Sequence, residues 1–163
     1  MIGNDIVDLD VARCQSNWQR KGFLDKIFTI KEQRLILDAE NPELLVWNLW
    51  TRKEAAYKIF NRSAQIRAFI PLRIECNVIN EFEGTISIDH QTYFTQTESK
   101  ESSVYTIAVS ESIFFSKIQI LPTEAPILKE NGIPFLMNPF TNKRNPVSIT
   151  HHGRFWNGIT LAI

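Results

Sequence analysis

Trp50-Thr51-Arg52-Lys53-Glu54-Ala55-Ala56-Tyr57-Lys58 sets a carboxylate and a lysine one helical turn apart on a face otherwise lined with aromatic rings. At about 100° per residue Trp47, Trp50, Glu54, Tyr57 and Lys58 point roughly one way, while Leu45, Leu49, Ala56 and Phe60 form an apolar stripe on the opposite side. Such a helix is covered on two sides. A carboxylate there is costly unless a cation, a metal or a hydrogen-bond donor meets it. Glu54 is therefore either paired structurally, with Lys58 at the favoured i, i+4 spacing, or it holds something that comes and goes. Arg52 falls inside the apolar stripe, which packing explains only if its stem is buried and its head engaged.

Asn41-Pro42 opens this helix as an N-cap followed by proline at the first helical position, and the helix ends near Asn61. Upstream, Thr29-Ile30-Lys31-Glu32 has capping-box spacing at the start of a helix reaching about Glu40, so Glu32 is read first as a capping residue. Residues 11–26 carry a helical pattern, and residues 2–9 form a short β-branched strand opening into a turn. After Pro71 the character changes. Residues 73–79, 84–89, 92–97, 104–110 and 113–121 are strand-like, with polar turns between them in a meander pattern. Residues 122–146 hold five prolines and are expected to be mostly loop, before strands near 147–150 and 154–163.

With 163 residues, 44% of them apolar, one domain with a sizeable core is expected. Eighteen basic residues balance eighteen acidic ones, so no global field draws nucleic acid or an anionic membrane, and any anion must be bound locally. Cys14 and Cys76 lack metal-ligand spacing and point to a reducing compartment. The acidic opening residues and the lack of a long apolar run lead to a cytoplasmic reading.

Asp5 and Glu54 come from separate elements, and two converging carboxylates completed by water and phosphate oxygens are a usual way to hold magnesium. A turn-capping role is the alternative for Asp5. Arg52, Lys53 and Lys58 carry charge suited to phosphate, though a solvated helix face is the commoner fate of such residues. Strand alternation after Ser148-Ile149-Thr150 sets His151 and His152 on opposite faces, so that at most one reaches a shared site.

Taken together, Gly3-Asn4-Asp5, Phe28-Thr29-Ile30-Lys31-Glu32 and Trp50-Thr51-Arg52-Lys53-Glu54-Ala55-Ala56-Tyr57-Lys58 resemble the ordered signatures of the 4′-phosphopantetheinyl transferase superfamily, G-x-D, F-[ST]-x-x-E and W-x-x-K-E-A-x-x-K. The resemblance spans about residues 1–110 and is of the holo-acyl-carrier-protein synthase kind. A further similarity joins Gly132-Ile133-Pro134 and Thr150-His151-His152-Gly153 to a G-K-P and serine-histidine-serine-glycine segment of the longer, surfactin-type members. In those it precedes G-x-D, so this chain looks circularly permuted.

The resemblance implies an α+β fold, an antiparallel sheet with packed helices in pseudo-twofold halves, here one domain over 1–163 with a main half at 1–110 and a shorter half at 111–163. It implies transfer of 4′-phosphopantetheine from coenzyme A to a serine of an apo acyl or peptidyl carrier protein, with Asp5 and Glu54 as magnesium ligands and Glu54 and Lys58 as catalytic residues. Lys58, Lys53, His151 and Arg154 would meet the phosphates of coenzyme A. Val7 stands where surfactin-type enzymes have a further acid, with Asp8 next, and Ile133 stands where they have a phosphate-binding lysine, for which Lys143 and Arg144 are substitutes. Arg13, Arg20, Lys21, Phe23 and Lys26 are candidate carrier contacts, and the protein would act as a monomer or homo-oligomer. The rival reading is a non-catalytic protein on the same fold that binds a carrier protein or coenzyme A.

Overall fold

Asn41 accepts the Leu44 N–H at 3.1 Å, and the helix it opens, α4 (Pro42–Ala64), is the spine of the molecule. Its buried residues, among them Val46, Leu49, Ala55, Ala56 and Ile59, pack on a sheet, while Trp47 and Phe23 meet edge to face nearby. In the computed structural model, which describes residues 1–64 and 69–161, that sheet comprises β1 (Ile2–Asp8), β2 (Ile74–Val78), β3 (Glu83–Ile88), β4 (Gln91–Lys100) and β5 (Ser103–Val109) in the order β1-β5-β4-β3-β2. Three short helices, α1 (Leu9–Gln15), α2 (Phe23–Ile27) and α3 (Ile30–Asp38), lie between β1 and α4 in the chain.

A second sheet contains β6 (Ile118–Leu121), β7 (Leu128–Glu130), β8 (Ile133–Met137), β9 (Arg144–His152) and β10 (Phe155–Leu161) in the order β6-β10-β9-β8-β7. The fold is α+β, two antiparallel sheets flanked by helices, as expected. β1 is the seam between the sheets. One edge pairs antiparallel with β5; on the β9 side, the Asn4 N–H donates to Ser148 Oγ at 3.0 Å and the Asp8 N–H to His152 Nδ1 at 2.9 Å. A small core of Ile2, Val109, Ile159 and Leu161 joins the sheets.

Gly3 explains how β1 approaches α4 so closely. A Cβ at this position would lie 2.0 Å from the Ala55 carbonyl oxygen, a backbone atom with little room to yield. Absence of a side chain here is a packing requirement.

Three expectations are corrected. The helical stretch at 11–26 breaks into α1 and α2, because Asn17 turns the chain through its bond to the Gln19 N–H and Gly22 adopts φ +79°. Residues 112–117 form a 3₁₀ turn before β6, so only the end of the expected 113–121 strand exists. The proline-rich stretch at 122–146 contains β7 and β8, joined by Asn131-Gly132 with φ of +51° and +81°. That is a tight hairpin connection favoured by Asn-Gly. Of the expected last strand, residues 162 and 163 lie outside the described residues. No described helix is long and apolar enough to cross a membrane.

Candidate functional site

The pleat of β1 turns Asp5 towards α4, where Glu54 stands, and both line a cleft of about 310 Å³ walled by Trp47, Trp50, Phe23, His151 and His152. Asp5 Oδ1 accepts from Thr150 Oγ1 at 3.0 Å and from Lys58 Nζ at 3.2 Å. Lys58 also donates to the Asn4 carbonyl at 2.7 Å and the Ile149 carbonyl at 3.4 Å. Its ion-pair partner is thus Asp5 on another element, rather than Glu54 one turn back. Lys58 ties α4, β1 and β9 together at one point.

Burial pushes both carboxyls up. For Asp5 desolvation outweighs the opposing pull of Lys58. For Glu54 desolvation acts first and the Asp5 charge second, bringing it to about 7. Two carboxylates that repel each other in a half-dry cleft are a donor set suited to a hard divalent cation. Among the described residues no group of three or more His, Cys, Asp or Glu side chains could hold a metal. The chain itself supplies two oxygen ligands; water and ligand oxygens would complete a magnesium shell.

Asp8 is not a third ligand on offer. It caps α1 through the Asp10 and Val11 N–H groups, and Arg154 grips it with Nε and Nη2, each at 2.9 Å. Those bonds hold the Asp8 carboxyl well below the usual carboxylate range. Arg154 also reaches Asp10 at 2.6 Å, so its exposed guanidinium is already engaged by two carboxylates.

Both histidines line the cleft, contrary to the alternation expected of them. The reason is the two-residue turn Gly153-Arg154, at which β9 ends and β10 begins; His152 pairs with Phe155 and His151 with Trp156. Because His152 Nδ1 accepts the Asp8 N–H, a neutral His152 carries its proton on Nε2. Ser148, Thr150 and His152 meet Asn4, Asp5 and Asp8 in turn. That every-second-residue polar face on β9 was visible in the sequence and is a signal the reading of single residues missed.

Lys53 is corrected as a phosphate ligand. Its side chain shows 0% exposure, paired at 2.7 Å with an equally sealed Glu32, and its ammonium also donates to the Ile27 and Pro71 carbonyls. No surface remains for a ligand. Glu32 completes the capping box with Thr29 and also accepts the Cys76 N–H at 2.8 Å. Arg52 has the buried stem and engaged head that its place in the apolar stripe requires: it donates to Thr97 Oγ1 and to the carbonyls of Asn80, Glu81 and Glu83.

Of the residues considered in place of a lysine at 133, Arg144 pairs with Glu130 and lies over the Phe135 ring, and Lys143 is exposed. Ile133 lines a second cavity, of about 240 Å³, beside Lys58, Arg62 and Lys129. Neither Arg62 nor Lys129 stood out in the sequence.

A pair of antiparallel sheets flanked by helices, with two carboxylates and a lysine meeting at the strand-helix seam, defines an α+β protein with an acidic, aromatic-walled cleft. The chain belongs to the 4′-phosphopantetheinyl transferase superfamily, whose model matches residues 1–110. Among solved structures, it resembles the Helicobacter pylori holo-[acyl-carrier-protein] synthase in complex with coenzyme A, at 17% identity and a TM-score of 0.51, over 67% of this chain and 98% of that one. That likeness is one of fold. No curated protein sequence matches the chain significantly.

Proposed function

We propose that this protein transfers 4′-phosphopantetheine from coenzyme A to a serine hydroxyl of an apo acyl or peptidyl carrier protein, with magnesium, releasing adenosine 3′,5′-bisphosphate. The observation that carries the reading is the meeting of Asp5 and Glu54, from separate signatures of the family, in one cleft with Lys58 bonded to Asp5. Asp5 and Glu54 would hold magnesium, which when bound offsets charge developing on the opening phosphoanhydride. Serine is a weak nucleophile near neutrality, and Glu54, with its carboxyl brought up to about 7, is suited to take its proton. Lys58 would contact the phosphoryl group in transfer and favour departure of the nucleotide. His151, at the exposed rim of the cleft, would touch the 3′-phosphate, with Arg154 nearby on the same hairpin.

The order of the parts supports circular permutation from the surfactin-type arrangement. β9, which carries Thr150-His151-His152-Gly153, reaches the Asp5 strand from the far end of the chain. On this reading residues 1–110 and 111–163 are the two halves of one domain, and the site closes within one subunit. The test is mass spectrometry of a panel of apo carrier proteins incubated with the protein, coenzyme A and magnesium. A phosphopantetheine adduct that disappears for Glu54→Gln supports transfer; binding of carrier or coenzyme A with no adduct on any carrier overturns it. The engagement of Asp8 by Arg154, which leaves two acids for a metal, is what favours the rival reading of a non-catalytic binder.

A further inference from the structure

Each sheet ends in two edge strands, and three of the four edges are guarded. β1 is covered by β9, whose Ser148 and His152 side chains accept its N–H groups. Along β2, Lys31 reaches from α3 to Asn77 Oδ1 at 3.1 Å and Glu75 at 3.6 Å. β7 has three residues, two of them the charged Lys129 and Glu130. Charge of this kind is an ordinary protection against pairing with another chain. β6, Ile118-Gln119-Ile120-Leu121, carries none, and Ile120 is 80% exposed. β6 pairs with β10 on one side. Beyond that ladder and the Ile118 N–H, which closes the preceding 3₁₀ turn on the Phe115 carbonyl, no backbone group among the described residues meets it. An uncharged edge of open N–H and C=O groups is a template for a further strand.

The two ends of β6 specify which strand fits. Lys117 precedes it and Glu124 follows it, both exposed. Neither has an ion-pair partner among the described residues: Lys117 lies 5.9 Å over the Phe114 ring, and Glu124 accepts from Thr123 Oγ1 at 3.1 Å. A second copy laid antiparallel about a twofold axis at Ile120 pairs Gln119 with Leu121 and sets Lys117 opposite Thr123, beside Glu124, twice over by symmetry. Parallel pairing would instead set Lys117 on Lys117 and Glu124 on Glu124, which is unfavourable. The antiparallel arrangement also sets the two Ile120 side chains against each other and covers the apolar surface that each copy alone leaves in water. Opposite charges at the two ends of an uncharged strand make this edge complementary to itself.

We propose that β6 is a self-association edge, on which a second copy of this chain adds antiparallel so that the five-stranded sheets of the two copies become one continuous sheet across a twofold axis. The edge lies outside residues 1–110, which the family model matches, and the inference rests on nothing in the functional reading. No residue of 117–124 lines the cleft or the second cavity, so neither is built from this edge.

The test is sedimentation velocity on the intact protein from about 1 to 100 µM, a range suited to an interface at the small end of the size scale. The wild type should pass from monomer to dimer across it. Ile120→Lys, which sets like charge on like charge at the axis, should remain monomeric throughout. Phe140→Lys, at a still more exposed apolar residue (95%) in the β8–β9 loop, should dimerise as the wild type does. Lys117→Glu and Glu124→Lys should each weaken dimerisation roughly threefold to tenfold, and the double variant should recover it. A wild type that stays monomeric at about 100 µM, or a dimer that Ile120→Lys leaves intact, overturns the edge. A double variant that associates no better than either single one overturns the antiparallel arrangement. Because no ligand or carrier protein is present, these failures are separate from failure of the adduct assay.

Discussion

Lys53 and Lys58 lie on the same helix and meet opposite fates. The Lys53–Glu32 pair is wholly sealed, at 0% exposure for both side chains, while the Lys58–Asp5 pair keeps 29% and 13%. Lys53 donates to its carboxylate and to two carbonyls inside the protein, so nothing from solvent can compete. Asp5 lines one cavity and Lys58 the other, so both partners of this pair remain open to solvent. Charge on one helix is thus sealed into the frame at Lys53 and left accessible at Lys58.

Breaking the sealed pair should have the largest effect. Lys53→Met leaves a buried carboxylate without its cation and should cost about 3–5 kcal/mol, measured by urea unfolding; a cost comparable with that of Lys58→Met would erase the contrast. Lys58→Met should cost less stability than Lys53→Met, because the partly exposed Asp5 can take up water or a proton, and should lower carrier-protein transfer by roughly 100- to 1,000-fold, about 2.7–4 kcal/mol in the barrier. Wild-type turnover with this variant would make the open pair structural too.

A pH series sharpens the comparison further. Glu54 titrates at about 7 in the folded protein against 4.5 ordinarily, so between those values the folded state binds more proton than the unfolded one. Stability should therefore fall as pH rises from 5 to 7 and level off above it. Asp5 moves in the same direction. Asp8 has the opposite sign, since its depressed carboxyl gives up stability only as pH falls below its ordinary 3.8. At about 1.36 kcal/mol per pH unit the Glu54 penalty is at most roughly 3 kcal/mol. Thermal melts of Glu54→Gln should be flatter across this range, and magnesium should raise the wild-type melting temperature most at pH 8; parallel curves for the two proteins would refute the assignment. Thr29→Ala should have the smallest effect, about 1 kcal/mol, by releasing one end of the capping box that steadies Glu32. Chemical denaturation will detect it.

Features set by near neighbours were legible in the sequence. The capping box at Thr29 and Glu32 and the cap at Asn41 are local hydrogen bonds, and both stand as read. Asp5 and Glu54 were also paired in advance, through the order of the signatures. What escaped depends on contacts distant along the chain. Lys53 could not be told from a solvent lysine until α3 and the segment near Pro71 closed over it. Arg62 gains its meaning only when β1 and β9 supply carbonyls to hold it. The β7–β8 hairpin is masked in the sequence by Pro134 and the prolines that flank it, although Asn131-Gly132 marks the turn.

The contact of Gly3 with the Ala55 carbonyl, 2.0 Å from where a Cβ would stand, means that peptide atoms gauge the spacing of β1 and α4, the two elements that carry the cleft carboxylates. Repacking the interior would leave that gauge untouched, so widening the space between Asp5 and Glu54 requires moving main chain. One added methyl at residue 3 is the smallest wedge that does so, which makes the one position in β1 without a side chain a control on the width of the cleft.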